Sequence, residues 1–230
     1  LSYRQGVGEL IYAMVTCRPD ISFPLIKLSQ YSAHPARLHF EALQGIYNYL
    51  SHTIDDGIYY WRSHPRMDLP MGTIHVCKDT NNYVANTREQ TDATNVRSTV
   101  DSDYGGDKSH RKSVTGISIM MAGGCIYYKT RFQATISLST TEAEFIAAVT
   151  AAKLARYLRC VLKQLGEEQT EPTDIYIDNL SAWKIINDDC SPTERTRHMD
   201  LRFFSIQDWR EAGDIIMKHI PGILNPSRPL

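Results

Sequence analysis

Long apolar runs are missing from this sequence. No stretch approaches the ~20 residues that a membrane-spanning helix needs, and none reads as a cleavable signal. A dominant charge is missing too: 25 Lys and Arg face 26 Asp and Glu, for a formal net charge of −1. No global field therefore drives the chain onto nucleic acid, and any such binding has to come from local patches. Cysteine is scarce and unpaired. The five cysteines, Cys17, Cys77, Cys125, Cys160 and Cys190, lie far apart, which argues against a zinc ribbon, and their odd number argues against a disulfide framework. A reducing, intracellular and cytoplasmic setting is the expectation. Internal repeats and low-complexity tracts are absent as well. What remains is ordinary for a soluble protein: 42% hydrophobic residues in a chain of 230, enough for one large domain or two small ones. The first residue is Leu1 rather than Met, so the sequence is expected to be a piece of a longer polypeptide.

Residues 1–62 have helical periodicity. An apolar run spans residues 8–15, and Arg18-Pro19-Asp20 punctuates it, with Pro19 suited to a first helical position. A second helix carries Ile21, Leu25 and Leu28. After His34-Pro35 a third has Leu38, Ala42, Ile46 and Leu50 on one side. The aromatic residues 57–61 look like a short strand. Three short helices bury little surface alone, so this segment is expected to need a neighbour. Periodicity then vanishes over residues 63–96, where Pro65, Pro70 and polar tracts mark a linker.

From residue 97 to 230 strand and helix signals alternate. Residues 99–103 form a strand, and Ile117, Ile119 and Met121 alternate up to a hairpin turn at Gly123-Gly124. Ile126 and Tyr128 open the next strand, and Ile136 and Leu138 close it or a successor. A long helix follows over residues 140–165, its inner face marked by Ala147, Ala151, Leu154, Leu158, Val161 and Leu165. At its start, Ser139 with Glu142 and Thr141 with Glu144 both fit a capping box. A strand over 174–178, short helices near 181–186 and 196–211, and a last strand at 215–220 complete the order. Trp61, Trp183 and Trp209 are packing residues, the latter two facing the sheet. The pattern predicts an α/β domain, a mixed sheet flanked by helices and preceded by the small helical segment.

In such sheets ligands collect at strand ends and at the starts of the helices that follow. Asp101 and Asp103 share one face of the first strand, Glu144 lies near the start of the long helix, and Asp178 ends a later strand. If those two strands are neighbours, Asp101 and Asp178 come side by side and Glu144 reaches both. A carboxylate cluster of this kind is costly without cations, and hard oxygen donors suit Mg²⁺ or Mn²⁺. Two such ions are the usual apparatus of phosphodiester cleavage. Each acid by itself could equally cap a helix or form a turn; spacing alone makes the triad suggestive, not specific.

Asp101-Ser102-Asp103-Tyr104-Gly105-Gly106-Asp107, followed by Arg111-Lys112-Ser113-Val114-Thr115-Gly116, resembles the opening of the ribonuclease H domain of copia-type retrotransposon Pol polyproteins. Leu138-Ser139-Thr140-Thr141-Glu142-Ala143-Glu144-Phe145-Ile146-Ala147-Ala148 is the most specific match. Ile177-Asp178-Asn179 and Arg195-Thr196-Arg197-His198-Met199-Asp200 follow in the family's order. Residues 3–12 and 16–21 are similar to the end of the copia reverse transcriptase region. The resemblance implies a ribonuclease H-like five-stranded sheet and hydrolysis of the RNA strand of RNA–DNA hybrids. It implies two Mg²⁺ (or Mn²⁺) ions held by Asp101, Glu144 and Asp178, with in-line displacement at phosphorus and no covalent intermediate. Asp101 is preferred to Asp103 by position in the motif, and Glu144 to Glu142 because the family's acid directly precedes a large apolar residue, here Phe145. The implied partners are the hybrid and the polymerase portion of the same polyprotein, in the cytoplasm or a virus-like particle.

Basic residues placed to meet a hybrid are Lys108, Arg111, Lys112, Lys129, Arg131, Arg195, Arg197 and Arg202, with His198 among them. Two departures from the family matter. The aspartate expected near the C-terminus is missing from Asn225-Pro226-Ser227-Arg228: either Arg228 stands in its place, where it would repel a second cation, or a few residues are lost between Ser227 and Arg228. The helix expected after it is missing too, so the domain reads as truncated. The adjacent pairs Asp55-Asp56 and Asp188-Asp189 sit in turns, so no DNA synthesis is expected.

Overall fold

The computed structural model of the chain describes residues 2–58, 60, 95–105, 111–187, 200–222 and 225. It contains two compact units. The first is helical: α1 (Tyr3–Thr16), a single 3₁₀ turn (Pro19–Ile21), α2 (Ser22–Ser29) and α3 (Arg37–His52). Tyr3, Val7 and Leu10 of α1 meet Ile21, Leu25, Leu43 and Ile46 in a small core. Ser2 starts α1 by accepting a hydrogen bond from the Gln5 N–H, the usual role of a serine at this position. Arg18-Pro19-Asp20 does more than punctuate. The buried Arg18 guanidinium pairs with Asp20 at 2.7 Å and donates to the carbonyl and hydroxyl oxygens of Thr53. The end of α1 is thereby clasped to the end of α3.

Two details of this unit depart from the sequence reading. The inner face of α3 is Leu43 and Ile46, with Tyr47 and Leu50 packed beside them; Leu38 is 70% exposed and Ala42 is exposed. Ile46 and Leu50 keep their expected places, while Leu43 rather than Ala42 turns inward. Residues 57 and 58 are not in a strand, nor is Tyr60, which belongs to the second unit and sends its hydroxyl to the Cys125 carbonyl there at 2.8 Å.

The second unit is built on five strands: β1 (Arg97–Asp103), β2 (Val114–Met121), β3 (Gly124–Phe132), β4 (Thr173–Ile177) and β5 (Ile215–His219). Their order is β3-β2-β1-β4-β5. The first three form an antiparallel meander, and β4 joins β1 in parallel, as β5 joins β4. The β2–β3 turn is Ala122-Gly123, both with positive φ, as a tight two-residue hairpin requires. Parallel neighbours need crossovers. The long α4 (Thr140–Gln164) supplies the first, and α5 (Leu180–Asn187) and α6 (Asp200–Glu211) lie between β4 and β5 in the chain. This is the mixed five-stranded, ribonuclease H-like sheet that the resemblance implies, with a helical segment ahead of it.

Phe145, Ala147, Ala148, Ala151, Ala152 and Ala155 of α4 are fully buried against Val100, Ile117, Ile119, Ile175 and Ile177. Small side chains let the helix lie close on the sheet. The expected inner face holds at Ala147 and Ala151, and only partly at Leu154 and Leu158; Leu165 is 71% exposed. A helix of 25 residues is ~37 Å long, whereas five-residue strands span ~17 Å. Its last turns overhang the sheet, and Leu162 replaces Leu165 as the inward residue. Trp183 and Trp209 pack against the core as expected, and Val96, assigned to the linker from sequence, is buried in it. The rest of the proposed linker, residues 63–94, and Trp61 lie outside the described residues.

Ile136 and Leu138 also differ from expectation. Neither is in a strand, and they are 55% and 76% exposed. The inward positions of this segment are polar. Gln133 donates to the Thr115 hydroxyl and to the Ala143 carbonyl and accepts from Ser137. Ser139 then caps α4 by accepting from the Glu142 N–H at 3.1 Å. The Glu142 carboxylate accepts from Leu138 N–H at 2.6 Å, one residue beyond the box partner foreseen. Ser139→Ala is expected to cost about 1 kcal/mol, seen as a melting point lower by ~2–4 °C in a thermal scan.

Candidate metal centre

Parallel pairing sets the centre. Val100 of β1 is level with Ile177 of β4, the last pair of their parallel ladder, so Asp101, still within β1, and Asp178, just past the end of β4, come side by side where that pairing stops. One turn into α4, the Glu144 side chain comes down beside them. One carboxylate oxygen from each of Asp101, Glu144 and Asp178 lies within 4.8 Å of the others. Asp101 and Glu144 are buried, 7% and 4% exposed, and Asp178 is half-buried. Glu142 is held in the cap and Asp103 is not part of this group.

Hydrogen bonds fix the acids unevenly. The Ser102 N–H donates to Asp101 Oδ1 at 2.7 Å and to Glu144 Oε1 at 2.8 Å, and the Ser102 hydroxyl donates to the same Oε1 at 2.9 Å. Glu144 Oε2 is buried and has no hydrogen-bond partner. Burial, reinforced by the neighbouring charges of Asp101 and then Asp178, pushes the Glu144 carboxyl up to about 9; donation from Ser102 opposes this. A buried polar atom left unsatisfied among like charges is costly. The donor set fits a hard divalent cation, which takes carboxylate oxygens and offsets this repulsion.

The segment after β5 is tied to the same two strands. Ile220 N–H donates to the Ile177 carbonyl at 2.9 Å, and His219 Nε2 lies 3.2 Å from the Asp178 carbonyl oxygen. The buried Asn225 sends its amide to the Val100 carbonyl at 2.7 Å. A methyl group on Gly222 would stand 3.1 Å from Asp178 Oδ2, so the absence of a side chain there keeps room beside the carboxylate. Neither Ser102 nor Gly222 has a sequence signal of its own; their roles come from which residues the fold sets beside them.

Of the basic residues, Arg111 is exposed, with φ of +53°, and Lys112 is half-buried just ahead of β2. Arg195, Arg197 and His198, together with Lys108 and Arg228, lie outside the described residues. Among the described residues, no helix is long and apolar enough to cross a membrane.

No protein-family model matches the chain. It is 31% identical over 225 residues to the retrovirus-related Pol polyprotein of transposon TNT 1-94 from Nicotiana tabacum, a match covering 98% of this chain and 15% of the polyprotein. The Pol polyprotein of transposon RE1 from Arabidopsis thaliana is 26% identical over 220 residues, covering 95% and 13%. The chain thus spans about a seventh of the length of these relatives. Among solved structures, LC11-RNase H1, isolated from compost, aligns with a TM-score of 0.43 at 14% identity, over 56% of this chain and 86% of that one. Homologues of this chain thus include the retrovirus-related Pol polyproteins of plant copia-type transposons, of which it matches one segment.

Proposed function

We propose that the second unit is a divalent-metal-dependent endonuclease that hydrolyses the RNA strand of RNA–DNA hybrids. A ribonuclease H-type role is supported by the relatives and by the sheet topology. The observation that carries the finer reading is the convergence of Asp101, Glu144 and Asp178, with one buried oxygen of Glu144 unsatisfied. These three residues would hold Mg²⁺ or Mn²⁺. When bound, the cations would supply charge neutralisation at the phosphate and make an attacking water more acidic. The residues themselves do the positioning. Asp101 is fixed within β1 and Asp178 just past the end of the neighbouring β4, Glu144 is held by Ser102, and Gly222 leaves space for an approaching phosphate. Arg111, Lys112, Arg195, Arg197 and His198 are assigned to the hybrid's backbone, which would make affinity fall with salt. Hybrid cleavage of this type belongs with the polymerase portion of the same polyprotein, in the cytoplasm or a virus-like particle.

The test is a hybrid with labelled RNA, incubated with the whole chain and Mg²⁺ or Mn²⁺. Internal cuts in the RNA that stop in EDTA are expected. Cleavage undiminished by EDTA, or cleavage of the DNA strand, overturns the proposal. The sequence at Ser227-Arg228 favours a second reading, a fold that binds hybrids without cutting them, since the fourth acid that the family resemblance leads one to expect there is missing. Hybrid binding without cleavage would select that reading. Under the first reading, Arg228→Asp is expected to raise both Mn²⁺ affinity and turnover, read by titrating Mn²⁺ into the cleavage assay. Equal activity in the two chains would remove Arg228 as the cause of any impairment.

A further inference from the structure

Ser102 lies between two of the three acids without being one of them. Its single N–H is shared by Asp101 Oδ1 and Glu144 Oε1. Its hydroxyl adds a second donor to the same Glu144 oxygen. A carboxylate held twice through one oxygen cannot turn freely, so its other oxygen is committed in direction. That other oxygen is the buried Oε2 with no partner. The Ser102 side chain therefore grips Glu144 from the oxygen that leaves Oε2 to a ligand.

We infer that Ser102 is a positioning residue for divalent-cation binding: its hydroxyl locks Glu144 Oε1 so that Oε2 stays available beside Asp101 and Asp178. The inference rests on the reading that these three acids hold a cation. The hydroxyl is the decisive part, because the backbone N–H survives any substitution but is divided between two carboxylates. Without the hydroxyl, the Glu144 carboxyl is held at Oε1 only by half of a shared donor. It is then free to rotate, and the donor set has to be ordered by the cation itself.

The experiment is calorimetric titration of Mn²⁺ into the metal-free chain, comparing wild type with Ser102→Ala, Ser102→Thr and Asp178→Asn. Groups that orient metal ligands are typically worth 10–100-fold in affinity. Ser102→Ala is therefore expected to weaken Mn²⁺ binding by about that factor. Ser102→Thr, which keeps the hydroxyl on a strand-compatible side chain, is expected to bind within about threefold of wild type on the same scale. Thermal scans of the metal-free variants establish that each is folded. Ser102→Ala binding as wild type does, or Ser102→Thr losing as much as Ser102→Ala, overturns the role of the hydroxyl while leaving the metal centre standing. Failure of wild type to bind Mn²⁺, or undiminished binding by Asp178→Asn, overturns the metal centre, and the inference about Ser102 with it.

Discussion

Asp178→Asn is expected to lower hybrid cleavage by on the order of 10³-fold or more, with hybrid binding largely retained. The substitution keeps the shape of the side chain and removes its charge. Cations stabilise the charge developing at phosphorus by several kcal/mol, and each 1.36 kcal/mol is a tenfold change in rate. Asp178 sits half-buried at the end of β4, where an amide of the same size leaves the strand pairing undisturbed. The paired control is Asp103→Asn. Asp103 lies two residues from Asp101 on the same strand and outside the acid cluster, so its variant is expected to cleave at close to the wild-type rate. Single-turnover cleavage, with binding measured separately, reads both. A loss of only a few fold for Asp178→Asn, or equal losses for the two variants, would remove the acid cluster from the chemistry.

The second large effect belongs to the metal-free protein. Its folded form keeps a proton on Glu144 to about pH 9, whereas an ordinary glutamate releases it near 4.5. Between those values the folded state binds more protons than the unfolded one. The stability tied to this group is therefore complete below about pH 4.5 and declines as pH rises toward 9. Glu144→Gln removes the titration and keeps an acceptor for Ser102. At pH 7 the metal-free variant is expected to be more stable than wild type by on the order of 2–3 kcal/mol, shrinking to about 1 kcal/mol or less near pH 5. Mn²⁺ should reverse the order at pH 7, raising the melting point of wild type and leaving the variant nearly unmoved, since only an ionised Glu144 ligates well. Thermal scans at the two pH values, with and without Mn²⁺, are sufficient. A metal-free Gln variant no more stable than wild type at pH 7 would mean that burial and the two aspartates do not press on Glu144 as argued.

How much of this was written in the sequence differs from element to element. Alternation at residues 99–103 and 174–178 marks two strands whose last positions are acidic, and Ser139 with Glu142 marks where the long helix begins. Those features are local, set by side-chain alternation and by the orphan N–H groups of a helix start, and so they are legible without a fold. Ile136 and Leu138 show where local reading stops. Their hydrophobicity points inward, but Gln133 and Ser137 take the inner positions, bonded to each other and, through Gln133, to the Thr115 hydroxyl and the Ala143 carbonyl. On α3 and α4 the period was clear, while the residues that face inward depended on where the neighbouring elements pack.

The sequence by itself determined the kinds of element, their order, and that Asp101 lies on a strand, Glu144 near the start of a helix and Asp178 at the end of a strand. Only the tertiary structure decided that β4 enters the sheet beside β1 with Val100 level with Ile177, which puts the three acids in one pocket and Ser102 between two of them. Side-chain direction follows from the period of a single element. Strand order and register follow from burying several elements at once, a balance that no single stretch of the chain carries.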